Sequence, residues 1–245
     1  MNANPAKEYN EMGEAYAHKA ENSFHNAYYD RPSVVALLGE VKEKQVLEVG
    51  CAGGALTEWL VNEGAKVTAI DISEEMVNYT KKRLGGKATI FTANISEPLE
   101  FINSESVDVI VASLVLHYIS NWLPVFSEFQ RILKPDGEII ISTHHPHADW
   151  KWHDRPNYFK KELYEEFWNL EGKAKKVSYY HRTLANMFAI FRKYSFYVDV
   201  LLEPLPKPEA KEIDPKKYEY LSKNPHFIFL RLKKRFTSSI FKAVL

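Results

Sequence analysis

Five short apolar runs, spaced along the first 143 residues, constrain the fold of this chain most. They are QVLEV (Gln45–Val49), KVTAI (Lys66–Ile70), ATIFT (Ala88–Thr92), VDVIVAS (Val107–Ser113) and EIIIST (Glu138–Thr143). Runs that stay mostly apolar instead of alternating with polar residues mark strands covered on both faces. The segments between them carry helix signals. Ser73 stands where an N-cap belongs, and the EEMVNYTKKRLGG stretch opens on acids and closes on cations and Gly85-Gly86. That order suits the helix dipole. SNWLPVFSEFQRILKPDG sets Phe126, Phe129, Ile132 and Leu133 on one face, and its helix is expected to stop at Pro135 and Gly137. Such alternation predicts an α/β fold with a doubly wound, mainly parallel sheet.

Beyond Thr143 the pattern changes. His144 to Arg182 shows no clean alternation and is crowded with aromatics, among them Trp150, Trp152, Tyr158, Phe159, Tyr164, Phe167, Trp168, Tyr179 and Tyr180. TLANMFAIFRKY then reads as a helix with Thr183 as N-cap. FYVDVLLE reads as a strand, and HFIFLRL (His226–Leu232) as another after the proline-rich link PLPKPEAKEIDPKKY. These complete a seven-stranded sheet. The expected organisation is a single domain over residues 1–245. A helical extension covers 1–40, and a lid at 144–181 is inserted between the fifth and sixth strands.

Bulk composition narrows the partners. With 32 basic and 32 acidic side chains the formal net charge is zero, so no global field attracts nucleic acid or an anionic membrane. The short basic run LKKR (Leu232–Arg235) reads as the solvated end of a strand. VIVASLVL (Val109–Leu116) is far shorter than the roughly 20 residues a membrane span needs. The opening MNANPAKEYNEMGEAY lacks the basic and apolar regions of a secretory signal. Cys51 is the one cysteine, so it has no intramolecular disulfide partner and reads as a small buried hydrophobe. The expectation is a cytoplasmic protein, monomer or homodimer, with no nucleic-acid or membrane partner.

The first strand runs into a glycine turn, VLEVGCAGG (Val46–Gly54), and then into helical sequence. A dinucleotide-binding turn needs G-x-G-x-x-G, but Ala52 and Ala55 hold its second and third glycine positions. A triphosphate-binding loop needs a following Lys-Ser/Thr, which is missing. Glu48, two residues before the turn, would repel a phosphate in a partly dry cleft. It suits instead a ligand bearing a cation or hydroxyls. Asp71 ends the second strand, where a ribose is gripped by its hydroxyls. A phosphate-free aminoacyl-nucleoside carrying a sulfonium, S-adenosylmethionine, meets these demands.

The ordered set VLEVGCAGGALTEWL, GAKVTAIDISEEMV, VDVIVASLVLHYI and LKPDG resembles the motif series of class I S-adenosylmethionine-dependent methyltransferases. Its style is that of the type 11, ubiquinone-biosynthesis-like group acting on small molecules, and the resemblance covers roughly Tyr9 to Leu232. HRTLANMF and LLEPLPKP further resemble a subgroup of bacterial methyltransferases. The resemblance implies that Glu48 and the backbone of Gly50 and Ala52 hold the methionine end. It implies that Asp71 binds the ribose, that Ile72 and Met76 pack on the adenine, and that Asn94 and the Ile95 amide meet its polar edge. Ser113 and Leu114 would line the cofactor, and Tyr16 would close over the methionine end. Ala52 stands where the family has glycine, a change of little cost if that residue has ordinary backbone angles. Asn94 replaces an acid, yet its amide oxygen still accepts a hydrogen bond.

The acceptor side is less legible. Methyl transfer is an in-line displacement that needs alignment and, for a protonated acceptor, a base. His117 after the fourth strand and His145 after the fifth are the candidate catalytic residues. His144, His145, His147 and His153 lack a recognised ligand spacing, so no metal is expected. An aromatic, largely uncharged lid suits a small, partly apolar acceptor, methylated on O, N or C. The alternatives are a catalytically inactive S-adenosylmethionine-binding protein, and a dinucleotide oxidoreductase that Ala52 and Ala55 disfavour. The lack of an N/D-P-P-Y/F motif disfavours nucleic-acid methylation.

Overall fold

The computed structural model describes residues 3–154 and 157–235. The ends of the expected domain, 1–2 and 236–245, and two residues of the expected lid, 155 and 156, lie outside the described residues.

Seven strands form one sheet: β1 (Gln45–Val49), β2 (Lys66–Asp71), β3 (Thr89–Thr92), β4 (Val107–Ser113), β5 (Leu133–His144), β8 (Phe196–Leu202) and β9 (Phe227–Lys234). Their spatial order is β3-β2-β1-β4-β5-β9-β8. The β1–β5 ladders are parallel, and β9 runs antiparallel between β5 and β8. Register pairs Glu48 with Ala69 and Val111, so the first motif lies at the sheet centre. Strand order reverses beside β1, the place where doubly wound sheets open a ligand crevice.

Both faces of the sheet are dry. One packs Trp122, Phe126 and Phe129 of α5 (Trp122–Ile132) and Phe191 of α7 (Leu184–Lys193) against Leu47, Ile110 and Ile139. The other packs Tyr29, Val34 and Leu37 against Val46, Val109, Ile140 and Phe229. The caps fall where the sequence places them. Ser73 accepts from the Met76 amide at the start of α4 (Glu74–Leu84), Gly85 closes that helix in the left-handed region, and Thr183 accepts from Asn186.

Three local features differ from expectation. The α5 helix ends at Ile132 instead of running on to Pro135, and β5 begins at Leu133, paired with Val107. The stretch after β5, whose sequence shows no clean alternation, nevertheless has regular structure. It holds α6 (Pro146–Trp152) and a hairpin of β6 (Leu163–Leu170) and β7 (Lys173–Tyr180). The proline-rich link carries two short helices, α8 (Ala210–Ile213) and α9 (Pro215–Leu221). At the front, α1 (Pro5–Asn22) and α2 (Arg31–Leu38) flank a π-helical turn, Asn26–Asp30. None of the helices among the described residues is long and apolar enough to cross a membrane.

Candidate active site

The carboxyl ends of β1, β2 and β4, roofed by α1 and the β6–β7 hairpin, enclose a cleft of about 1440 Å³. Its floor is the glycine turn. Gly50 sits at φ 78°, and a Cβ there would lie 2.8 Å from the Val115 side chain. Gly53 lets α1 rest directly on the turn, because a Cβ would come within 3.1 Å of Ala17. Ala52 does not have ordinary backbone angles: its φ is 46°. The cheap replacement expected for Ala52 is therefore overturned. The residue keeps the left-handed conformation that glycine adopts freely, at a cost of about 1–2 kcal/mol for a side chain with a Cβ.

That conformation aims the Ala52 amide at Asp71. The Ala52 N–H donates to Asp71 Oδ2 and the Ser73 N–H to Oδ1, both at 2.9 Å. Each oxygen keeps a second lone pair for a ribose hydroxyl. Burial raises the Asp71 pKa, and the backbone amides of Ser73 and Ala52 oppose the rise.

Glu48 is 3 % exposed, and its Oε2 has no hydrogen-bond partner. Burial pushes its pKa up to about 8, with Asp71 adding to the shift while Thr57 and Arg31 oppose it. A buried carboxyl oxygen left unpaired costs about 1–3 kcal/mol, so it signals a ligand that pairs with it. An ammonium group fits. Arg31, whose Nη2 donates to the Glu21 carbonyl at 3.2 Å, lines the same end and offers a cation for a carboxylate. The two together match an amino-acid moiety.

Asp30 is a third buried carboxyl in this cleft, and the motif reading did not single it out. The Ser113 hydroxyl donates to its Oδ2 at 2.5 Å, and its Oδ1 is buried without a partner. Burial lifts its pKa to about 6. The signal available in the sequence was the pair Asp30-Arg31 inside the otherwise apolar-aromatic stretch NAYYDRPSVV.

The structure brings most of the expected residues together. Tyr16, Glu48, Gly50, Ala52, Asp71, Ile72, Asn94, Ile95, Ser113, Leu114 and His117 all line the cleft. Leu114 holds φ 47°, with its N–H donating to the Ser142 carbonyl. Asn94 also makes a local turn, accepting from the Ser96 amide at 3.0 Å. Met76 is fully buried beneath α1 with Tyr9 and Met12 and does not line the cleft. Tyr16 stacks on Trp168 of the hairpin with centroids 6.1 Å apart, and the Tyr9 hydroxyl donates to that of Tyr118 at 2.7 Å.

On the acceptor side His145 is not in the cleft lining. Its Nε2 lies 2.8 Å from Glu203, and its Nδ1 accepts from the His147 amide at 3.1 Å, capping α6. Neighbouring residues of an extended chain point to opposite sides, and His144 is the one that faces in. The His144 ring stacks on His117 at 3.9 Å, and its Nδ1 lies 3.1 Å from Asp149 Oδ1 at an angle that does not complete a hydrogen bond. Catalytic hydrogen bonds are often loose before substrate binds. His117 donates to or accepts from the Thr143 hydroxyl at 3.3 Å. Burial, with His144 and His226 adding to it, holds its pKa well below 6.5, so the ring is neutral. Among the described residues no group of three or more His, Cys, Asp or Glu is placed to hold a metal ion.

Residues 47–141 match the family described as Methyltransferase domain. The chain is 34% identical over 103 residues to a ubiquinone biosynthesis O-methyltransferase of Dechloromonas aromatica. That match covers 41% of this chain and 44% of that enzyme, so it spans less than half of the relative's length. A Listeria monocytogenes protein described as an S-adenosylmethionine-dependent methyltransferase superposes with TM-score 0.71 at 24% identity, covering 84% of this chain and 96% of that one. A 1,6-didemethyltoxoflavin-N1-methyltransferase of Burkholderia thailandensis, solved with its acceptor and S-adenosylhomocysteine, gives TM-score 0.54 at 17% identity, over 88% and 78% of the chains. The motif order and the central parallel sheet agree with these matches: residues 47–141 carry a methyltransferase domain, and the chain has the fold of S-adenosylmethionine-dependent methyltransferases.

Proposed function

We propose that this chain methylates an O–H or N–H group of a small planar acceptor, with His144 as the base and the segment 144–181 as the acceptor lid. When bound, S-adenosylmethionine would supply the electrophilic methyl group. Glu48 pairs with the ammonium, Arg31 with the carboxylate and Asp71 with the ribose hydroxyls. The observation that carries the acceptor class is the His144–Asp149 pair at the carboxyl end of β5. An imidazole backed by a buried carboxylate can take up the proton that an O–H or N–H acceptor releases, which a thioether acceptor would not require. His117, stacked on His144 and neutral, is a positioning residue. The rings of Tyr118, Phe167, Trp168 and Tyr179 in the cleft wall suit a flat partner. The named acceptors or pathways of the two matched enzymes, a ubiquinone precursor step and didemethyltoxoflavin, are compatible in kind.

Thermal unfolding with S-adenosylhomocysteine tests the cofactor half. A ligand at about 100 times its Kd stabilises by about 2.7 kcal/mol, whereas NAD is expected to give no shift. Asp71→Ala abolishes the shift. The acceptor half is tested with tritiated methyl donor and a panel of phenols and N-heterocycles. His144→Ala lowers kcat by roughly 10²–10⁴ while the S-adenosylhomocysteine shift persists. A His144→Ala enzyme of normal rate would refute the base. A chain that binds cofactor and turns over no acceptor would favour the inactive alternative.

A further inference from the structure

A second cavity lies on the other side of the loop that carries His117 and Tyr118. It encloses about 270 Å³, and Ser120, Asn121, Lys161, Arg182, Thr183 and Asn186 provide its polar lining. Two helices begin there. Asn121 caps α5, its Oδ1 accepting from the Leu123 amide at 3.1 Å, and Thr183 caps α7, its Oγ1 accepting from Asn186 at 3.1 Å. Helices of 11 and 10 residues thus turn their positive ends to one cavity.

Arg182 adds the independent observation. It is 6 % exposed, stacks on Trp122 with its guanidinium carbon 4.4 Å from the ring centre, and keeps a buried Nε without a partner. Its terminal nitrogens donate only to neutral oxygens: Nη1 to Asn186 Oδ1 at 2.6 Å, and Nη2 to the carbonyls of Ile119 and Ser120 at 3.2 and 2.9 Å. Lys161 is the second cation, donating to the Ser120 carbonyl at 3.0 Å. The cavity lining holds no carboxylate. Burial depresses the Arg182 pKa to about 10, and no nearby anion offsets it. Hydrogen bonds to neutral oxygens leave the charge itself without a counter-ion, and buried charges in proteins are paired. The amides of Asn121 and Asn186 both spend their oxygens on the protein, which leaves their NH₂ groups as donors.

We propose that this cavity binds a compact oxyanion, inorganic phosphate or the phosphate of a small phosphomonoester. Two cations, two amide donors and two helix N-termini converge there with no competing negative charge. The site has no part in the methyl-transfer chemistry, since its lining residues are separate from those of the cleft. It absorbs the HRTL segment (His181–Leu184), which the methyltransferase motifs leave unexplained.

The test is calorimetric titration with inorganic phosphate and, separately, with glycerol 3-phosphate. Ionic strength is held with sodium chloride, and the cleft is filled with S-adenosylhomocysteine. Saturable binding of either is expected, tighter for glycerol 3-phosphate if a phosphomonoester is the natural ligand. Arg182 also tethers a loop, so Arg182→Met risks misfolding. Two gentler variants serve instead. Lys161→Met weakens binding at least fivefold. Asn121→Asp retains an N-cap but places a carboxylate beside Arg182, so phosphate binding falls by more than tenfold while the melting temperature rises. No saturable binding in the parent protein, or undiminished binding in Asn121→Asp, overturns the proposal.

Discussion

At the residue scale two positions of the glycine turn carry distinct predictions. Ala52 at φ 46° is strained by its Cβ. Ala52→Gly removes about 1–2 kcal/mol of strain and adds about 0.5–1 kcal/mol of unfolded-state entropy. The expected net is a stabilisation of roughly 0.5–1 kcal/mol, read by urea denaturation, with S-adenosylhomocysteine affinity retained. Glu48 predicts a pH dependence. Its carboxyl titrates near 8 in the folded chain against about 4.3 unfolded. Between those values the native state holds a proton that the unfolded state has lost. Stability of the ligand-free protein therefore falls as pH rises, by up to about 1.4 kcal/mol per unit. Asp30 adds the same sign only up to about pH 6. Denaturation at pH 6, 7 and 8 should show that slope in the parent and its loss in Glu48→Gln. Glu48 and Asp71 were legible because a carboxylate at a fixed offset from a turn excludes phosphate. His144 and Asp30 were not. Nothing in THHPH says which histidine faces in until the path of the chain after β5 is known.

At the element scale the roof is the least legible part. The α1 helix breaks at Gly13, φ 48°, between Tyr9 and Tyr16. Glu8 accepts from the amide and hydroxyl of Ser178, and Lys175 donates to the Glu11 carbonyl. These contacting residues lie 164 and 170 positions apart in the chain, so neither element reveals the other in sequence. Strand signals were readable in the central sheet because both faces are apolar. The β6 strand, with Glu165, Phe167 and Asn169 exposed on one face, buries too little for its pattern to stand out. The roof predicts that Trp168→Ala raises the Kd for S-adenosylhomocysteine roughly five- to tenfold. That is the loss of about 1 kcal/mol expected for a stacked ring pair. The melting temperature without ligand should change little, because Trp168 packs with α1 and lies outside both sheet cores. Parallel ligand titrations and melts check both statements.

At the scale of the whole molecule, the loop from Leu116 to Asn121 separates two cavities. His117 and Tyr118 face the large cleft, while Ser120 and Asn121 face the small one. An oxyanion held by Asn121 and Lys161 would stiffen this loop and thereby the part of the cleft wall that His117 and Tyr118 form. The methyl donor could be read from sequence because its site is built from contiguous motifs at successive strand ends. The side of the cleft lined by His144, Asp149 and the β6–β7 hairpin, and the second cavity, are assembled from segments that meet only after the sheet has closed.

The position of β9 has a consequence for synthesis. It is made after β8 yet lies between β5 and β8. While a ribosome is still adding residues before Phe227, β5 keeps an open edge bearing Ile139, Ile140 and Ile141, and β8 has no partner in the sheet. A nascent chain of this kind presents an unpaired apolar strand, the species most prone to self-association. The interval before β9 emerges is therefore when the protein depends most on being shielded from its own copies.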